Sequence, residues 1–391
     1  MNSKLVKVLN GIRRCGKSSI LMILREELIA QGNAENHVLL VNFESMAFAE
    51  IDSAQKLYTY LKEKVTDQEP YYVLLDEIQN VTDWEKTVAS CLVDFNMDIY
   101  ITGSNSKLLS SELSTYLTGR FVEIQIYPLS FEEYLLFKKA RNATIQTPLS
   151  QLLIEYIQLG GFPATHLADY SHEDAYAIIN GIYSSILLYD VVQRYRIRNI
   201  DLLERVIRYT FDNIGKMFSA RSISTYFKSQ HRSLDIETVY NYLNALENAF
   251  AIYRVPRFDI RGKDILQTNE KYFLGDHGLL YALSGYSEHN IAGLLENIVF
   301  LELKRRGYRV YVGKQDEMEV DFVAEKREKR IYVQVCYRMS EQATFDREIK
   351  PLQAIDDNHP KYIAALDSSF SSNEAGIHII PLADFLLLPD F

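Results

Sequence analysis

Eight residues near the start of the chain, Gly11-Ile12-Arg13-Arg14-Cys15-Gly16-Lys17-Ser18, constrain the fold more than any other stretch. Val6, Val8 and Leu9 ahead of them read as a short buried strand. The run Ile20-Leu21-Met22-Ile23-Leu24 behind them, continuing to Leu28, carries apolar residues at helical spacing. A strand that turns tightly into a helix needs backbone freedom, which Gly11 and Gly16 supply. Such a turn points successive N–H groups inward, and the helix adds the positive end of its dipole, so the connection becomes an anion cradle. The pattern G-x-x-x-x-G-K-S/T is met at every fixed position. Gly11, Arg14, Cys15, Gly16, Lys17, Ser18 and Ser19 are therefore expected to surround the phosphates of a nucleotide. Lys17 would reach the β- and γ-phosphates, and the Ser18 hydroxyl would ligate Mg²⁺.

The next segments keep the alternation of strand and helix. A strand is predicted over 37–43 and a helix over about 54–64. Tyr71-Tyr72-Val73-Leu74-Leu75-Asp76-Glu77 is an apolar run ending in two acids, as expected of a central parallel strand buried on both faces. Its carboxylates emerge at the strand's C-terminal end, where ligands bind in open α/β sheets. Asp76 is expected to hold Mg²⁺, and Glu77 to orient or deprotonate an attacking water. A plain acidic cap for the next helix is the alternative. A further run, Met97 to Thr102, leads into Gly103-Ser104-Asn105-Ser106. Ser104 and Asn105 are candidates to sense the γ-phosphate, or simply a turn followed by a helix cap. Arg120 precedes another β-run. Three roles stay open for it: an arginine finger on a neighbouring subunit's nucleotide, a group of its own site, or a surface partner for an acid.

At 391 residues the chain exceeds one ordinary core, and two or three domains are expected. Hydrophobic residues at 47% and charged residues at 24% are the balance of a soluble globular protein and imply no disorder. No apolar run approaches the roughly 20 residues of a spanning helix, so no membrane partner is expected. Cys15, Cys91 and Cys336 are widely spaced and form no zinc or disulfide pattern. Met1-Asn2-Ser3-Lys4 enters the first strand without a signal-peptide core. Both features point to the cytoplasm. A net charge of −10 argues against wholesale coating of nucleic acid, while permitting a local basic patch.

Beyond residue 125, Ser130 and Glu133 form a capping box at a helix start, and residues 141–150 read as a polar connector. Residues 201–285 are laid out as a winged helix. Helices are predicted from Leu202 to about Ile214, from Ser219 to Phe227 and from Ile236 to Phe250. A hairpin wing pairs 251–255 with 271–274. Over 185–260 there are 11 basic against 8 acidic residues, a local excess that suits contact with DNA. The third helix carries Glu237 and Glu247, which suits docking of a protein. In the last hundred residues a helix bearing Glu296 precedes strands bearing Asp321 and Gln334. This order resembles a restriction-endonuclease-like core. Such nucleases need paired carboxylates and a lysine. Here Gln334 replaces one acid and Cys336 stands in the lysine's place, so a non-cleaving domain is expected.

The stretches Gly-Ile-Arg-Arg-Cys-Gly-Lys-Ser from Gly11, Leu-Leu-Asp-Glu-Ile-Gln from Leu74, Ile-Thr-Gly-Ser-Asn-Ser from Ile101 and Leu-Thr-Gly-Arg from Leu117 together carry a resemblance. It is to bacterial and archaeal AAA-superfamily ATPases with a C-terminal domain of unknown function. Gly160-Gly161-Phe162-Pro163 and Asp321-Phe322-Val323-Ala324 extend it over the whole chain. It implies ATP and Mg²⁺ as cofactors and places Gly160–Pro163 in a lid near the nucleotide, where a plain inter-helix turn is the alternative. Members usually carry a further segment before the first strand that helps cover the base, whereas here ten residues precede Gly11.

The expected fold is α/β: a P-loop NTPase parallel sheet (1–125), a helical lid or connector (126–200), a winged helix (201–285) and a restriction-endonuclease-like C-terminal domain (286–391). The expected function is ATP hydrolysis coupled to docking on DNA, a protein or a second copy of the chain. A nucleotide-gated regulatory module with negligible turnover is one alternative. An ATP-regulated nuclease using Glu296 and Asp321 is another.

Overall fold

Five short strands rich in Val, Leu, Ile and Tyr build the first layer of the fold. The three central ones are buried on both faces, as a parallel arrangement with crossover helices requires, and the two edge strands are partly exposed. The computed structural model describes residues 5–105, 116–117, 119–141, 146–230, 234–285, 290–339, 342–367 and 371–391. The connector at 141–150 and the turn at 229–232 lie partly outside these residues. Two compact units divide the chain. The first runs to Ile126 and takes in Asn248–Phe250; the second comprises Tyr127–Glu247 and Ala251–Phe391.

In the first unit, β1 (Val6–Asn10), β2 (Val38–Asn42), β3 (Tyr71–Asp76), β4 (Met97–Gly103) and β5 (Phe121–Gln125) form a parallel sheet in the order β2-β3-β4-β1-β5. Alternate residues face opposite sides. Val6, Val8, Val41, Val73, Leu75, Ile99 and Ile101 pack with Leu57 and Leu61 of α2 (Ala54–Lys64) and Trp84 and Val88 of α3 (Trp84–Asp94). Leu9, Val38, Tyr72, Leu74 and Tyr100 pack on the other side with Leu21 and Leu28 of α1 (Lys17–Ala30). The strand order puts β4 between β1 and β3. The loop after β1 and the acids after β3 therefore open at the same edge, on either side of the β4 tip.

The second unit begins with α4 (Phe131–Arg141), whose capping box forms as the sequence predicts: Ser130 N–H donates to Glu133 Oε2 at 2.8 Å, and Glu133 N–H to Ser130 Oγ at 3.0 Å. Next come α5 (Leu149–Leu159) and α6 (His172–Ser185), which runs on as a wider helical coil over Ile186–Gln193. The sequence reading found no apolar run near spanning length. The continuous helix His172–Gln193 corrects it: over its 22 residues an 18-residue window reaches a mean hydropathy of 1.4, so by length and composition alone it is long and apolar enough to cross a bilayer. In the fold its first part packs against α10 (Gly278–Ser284).

Three helices, α7 (Ile200–Asp212), α8 (Ala220–Ser229) and α9 (Ile236–Asn248), occupy the predicted positions, with the two-residue strand β6 (Met217–Phe218) between the first two, and lead into the hairpin β7 (Ile252–Asp259) and β8 (Asp264–Leu274). The expected boundary at 285 needs revision. β7 pairs in parallel with β9 (Arg309–Gln315), through Arg257↔Val312, Phe258↔Gly313 and Asp259↔Lys314. The hairpin thereby joins one nine-stranded sheet with β10 (Met318–Lys326), β11 (Lys329–Cys336) and the strands beyond. Phe258 and Ile260 from the hairpin share a core with Val320, Val323, Tyr332 and Ile363.

The Gly160–Pro163 turn is pinned within this unit. Asp276 accepts Gly161 N–H at Oδ2 (2.8 Å) and Gly278 N–H at Oδ1 (2.9 Å), and His277 Nε2 meets Tyr156 O at 2.8 Å. Gly160 has φ +75°, and a Cβ there would come within 2.1 Å of Asp276 Oδ1, so only glycine fits. Burial pushes the Asp276 carboxyl up to about 7, against the pull of its two N–H partners and of Arg305.

Candidate functional site

The loop between β1 and α1 starts from a close approach. Gly11 has φ +151°, and a Cβ would meet the Ile126 carbonyl oxygen at 2.1 Å. Cys15 turns its thiol away, donating to that same oxygen at 3.5 Å; burial raises its pKa and keeps it an inert thiol. Arg14 takes a left-handed φ of 67° and stays exposed, as do Ser18 and Ser19. Gly16 (φ 108°) precedes α1, and no side chain caps that helix among the described residues. Its first-turn N–H groups thus keep the anion-facing character the sequence predicts. Lys17 is 4% exposed, and its ammonium donates to the carbonyls of Gly11 and Ile12, each at 3.0 Å.

Across the β4 tip lie the two acids. Asp76 is 2% exposed. Its Oδ1 accepts the Thr102 hydroxyl at 2.5 Å, and the same Thr102 Oγ1 accepts the Glu77 N–H at 2.9 Å. Glu77 sits in the left-handed region (φ 54°, ψ 48°), a strained conformation for a side-chain-bearing residue. Burial pushes its carboxyl up; the charge of Lys17, the amide of Gln79 and the charge of Arg13 act the other way. Lys17 and Glu77 are therefore close enough for their charges to interact. Arg13 pairs with Glu44 at 3.1 Å beyond the tip of β2. Ser104 and Asn105, both buried, follow Gly103, which sits beside Asn10 in the β1–β4 ladder.

Arg120 does not join this group. Its carbonyl accepts Val6 N–H at 2.9 Å, which fixes it where β1 and β5 begin, while the phosphate loop opens where they end. At ~3.3 Å per residue the two are roughly 16 Å apart along the sheet. The expectation that it serves its own site is set aside. It is exposed, with Nε donating to Leu117 O at 3.2 Å.

Sequence reasoning assigned no role to Thr102, Gln79 or Lys271. Thr102 had a signal, being the last polar residue of a β-run beside the acidic strand. Lys271 of β8 had none, since only the tertiary fold brings it to the carboxylates of the second unit. It is 2% exposed, 2.8 Å from Glu296 Oε2, 2.6 Å from Glu319 Oε1 and 3.6 Å from Asp321 Oδ1. The pair expected to define a nuclease is thus neutralised by an internal ammonium. Gln334 is tied up as well: Oε1 accepts Asp321 N–H at 3.1 Å and Nε2 donates to Glu348 Oε2 at 2.7 Å. Burial pushes the Cys336 thiol up to about 12, unlike the lysine of an active nuclease. Among the described residues no group of three or more His, Cys, Asp or Glu side chains could hold a metal ion. Cleavage of nucleic acid finds no support.

A parallel sheet in this order, with a glycine-lined loop, a buried lysine and paired strand-tip acids, defines a P-loop NTPase of AAA type. Residues 3–135 match the model of an AAA domain family, and residues 150–290 that of a domain of unknown function. An uncharacterized protein of Haemophilus influenzae is 42% identical over 384 residues, covering 98% of this chain and 94% of that one. One from Methanocaldococcus jannaschii is 33% identical over 354 residues, covering 88% and 77%. The chain belongs to the family these relatives represent, in which an AAA domain precedes a domain of unknown function. The Walker-type ATPase of Pyrococcus abyssi is a structural neighbour, with a TM-score of 0.49 at 15% identity over 72% of this chain and 91% of that one.

Proposed function

We propose that this protein is a Mg²⁺-dependent ATPase whose nucleotide state governs docking of its second unit on a macromolecular partner. The observation that carries this reading is the Thr102 bridge, which fixes Asp76 and Glu77 together, with the Lys17 charge within reach of Glu77.

The residues fit a nucleotide and a magnesium ion. Uncapped N–H groups at the start of α1 suit phosphate oxygens. Ser18 and Asp76 offer the hard oxygen donors that Mg²⁺ selects. Bound Mg²⁺ would neutralise charge developing on the phosphates. Lys17 supplies the fixed positive charge, and Glu77 orients the attacking water and takes its proton at the carboxylate. Arg120 could act only on the nucleotide of a second copy. The three buried free thiols suit a reducing cytoplasm.

For the partner, the exposed face of α9 presents Tyr240, Asn241 and Asn244 without a basic residue. Arg254 is paired with Glu247 and Glu270, and Arg205 with Asp201. This favours a protein over a phosphate backbone; DNA binding that weakens steeply with salt would reverse that choice. The test of the core reading is ATP binding and phosphate release by wild type and Lys17→Ala. Loss of both in the variant is expected, and equal activity would defeat the assignment. The Lys17 contacts to loop carbonyls also suit a nucleotide-gated switch, which tight ATP binding without phosphate release would select.

A further inference from the structure

Gln79 lies in the single helical turn Ile78–Asn80 that follows Glu77. Its Nε2 donates to Glu77 Oε2. An ionised carboxylate only accepts hydrogen bonds, so the amide must present its nitrogen there, which leaves Oε1 as an acceptor. That Oε1 is buried and has no hydrogen-bond partner among the described residues. Buried acceptors are rarely left so, and one beside a strained acid marks a place where a donor belongs.

We infer that Gln79 is a second catalytic residue, whose Oε1 accepts one O–H of the attacking water while Glu77 accepts the other. The inference rests on the ATPase reading given above. A water has two protons, and one carboxylate leaves its second O–H free to swing; two fixed acceptors set the direction of the oxygen lone pair. The backbone is built to hold both. Thr102 Oγ1 anchors the Glu77 N–H, and the turn closes through Asn80 N–H to Glu77 O at 3.2 Å and Val81 N–H to Ile78 O at 3.0 Å. On proton transfer the water's proton passes to Glu77, whose neutral form keeps the Gln79 amide as its neighbour, and Gln79 itself exchanges no proton.

The test joins two readouts. In Gln79→Ala the affinity for ATP, measured by calorimetry, is expected to stay at the wild-type level while kcat falls about 10–100-fold. In the ligand-free protein, ¹⁵N spectra are expected to show a Gln79 side-chain amide proton that exchanges slowly in wild type and fast in Glu77→Ala. Gln79→Glu keeps the length and an acceptor but loses the donor, and serves if the truncation fails to fold; it too should lower kcat. Wild-type kcat in Gln79→Ala, or equally fast exchange in both proteins, would overturn this role alone. Absence of turnover in wild type, with ATP bound, would overturn the ATPase reading and this role with it.

Discussion

The hydroxyl of Thr102 donates to Asp76 Oδ1 at 2.5 Å, so the tip of β4 governs the carboxylate at the tip of β3. Because the same oxygen receives the Glu77 N–H, one side chain sets both acids. Thr102→Val keeps the shape and removes the oxygen, orphaning two buried polar groups. A loss of about 1–3 kcal/mol is expected in urea denaturation, together with slower ATP turnover. Thr102→Ser should recover both, and an unshifted midpoint in the valine variant would argue against the bridge.

Glu77→Gln preserves volume and removes the proton acceptor. ATP affinity should hold while phosphate release falls by roughly 10²–10⁴-fold. If affinity fell in parallel, Glu77 would belong to binding and not to the chemical step.

Lys271 neutralises Glu296, Glu319 and Asp321 in a buried cluster, with Glu348 nearby. Lys271→Met should cost about 3–5 kcal/mol at neutral pH, because buried carboxylates lose their counter-charge. Burial already pushes Asp321 and Glu296 up, so these acids take up protons as pH falls and the deficit should narrow from neutral pH downward. Denaturation curves across that range measure it. A deficit independent of pH would mean the lysine acts by packing alone.

Asp276 gives a pH dependence of known sign. Its folded-state value, raised from 3.8 to about 7, means that the folded chain holds a proton the unfolded chain releases. Its contribution to stability is whole below its unfolded value and is lost as pH rises through 7. Between pH 6 and 8 this amounts to about 1.4 kcal/mol. Burial holds neighbouring His277 down near 4, and that residue contributes alike to wild type and Asp276→Asn. The difference between their stability slopes over pH 6–8 therefore isolates the aspartate. Parallel slopes would show that it stays ionised.

Much of the first unit is legible from residue order alone, because strand, glycine turn and helix are local events whose signals lie within twenty residues of each other. Lys17, Asp76 and Glu77 meet because a parallel sheet gathers strand ends at one edge. The misplacement of Arg120 has the same origin: its neighbourhood depends on which end of β5 it occupies, and that is decided by pairing with β1. Lys271 was out of reach for a related reason. Its carboxylate partners lie 25 to 50 residues downstream and converge only when the hairpin joins the β9–β11 sheet. Periodicity located the hairpin correctly but carries no information about its far neighbour.

The β7–β8 hairpin has a bearing on how such a chain could be cut and recombined. Severed at residue 286, β9 would lose Arg257, Phe258 and Asp259 as its rungs and expose an open edge, the kind of surface along which sheets aggregate. A transferable C-terminal cassette of this protein must begin no later than Ile252, carrying the hairpin as its own first two staves.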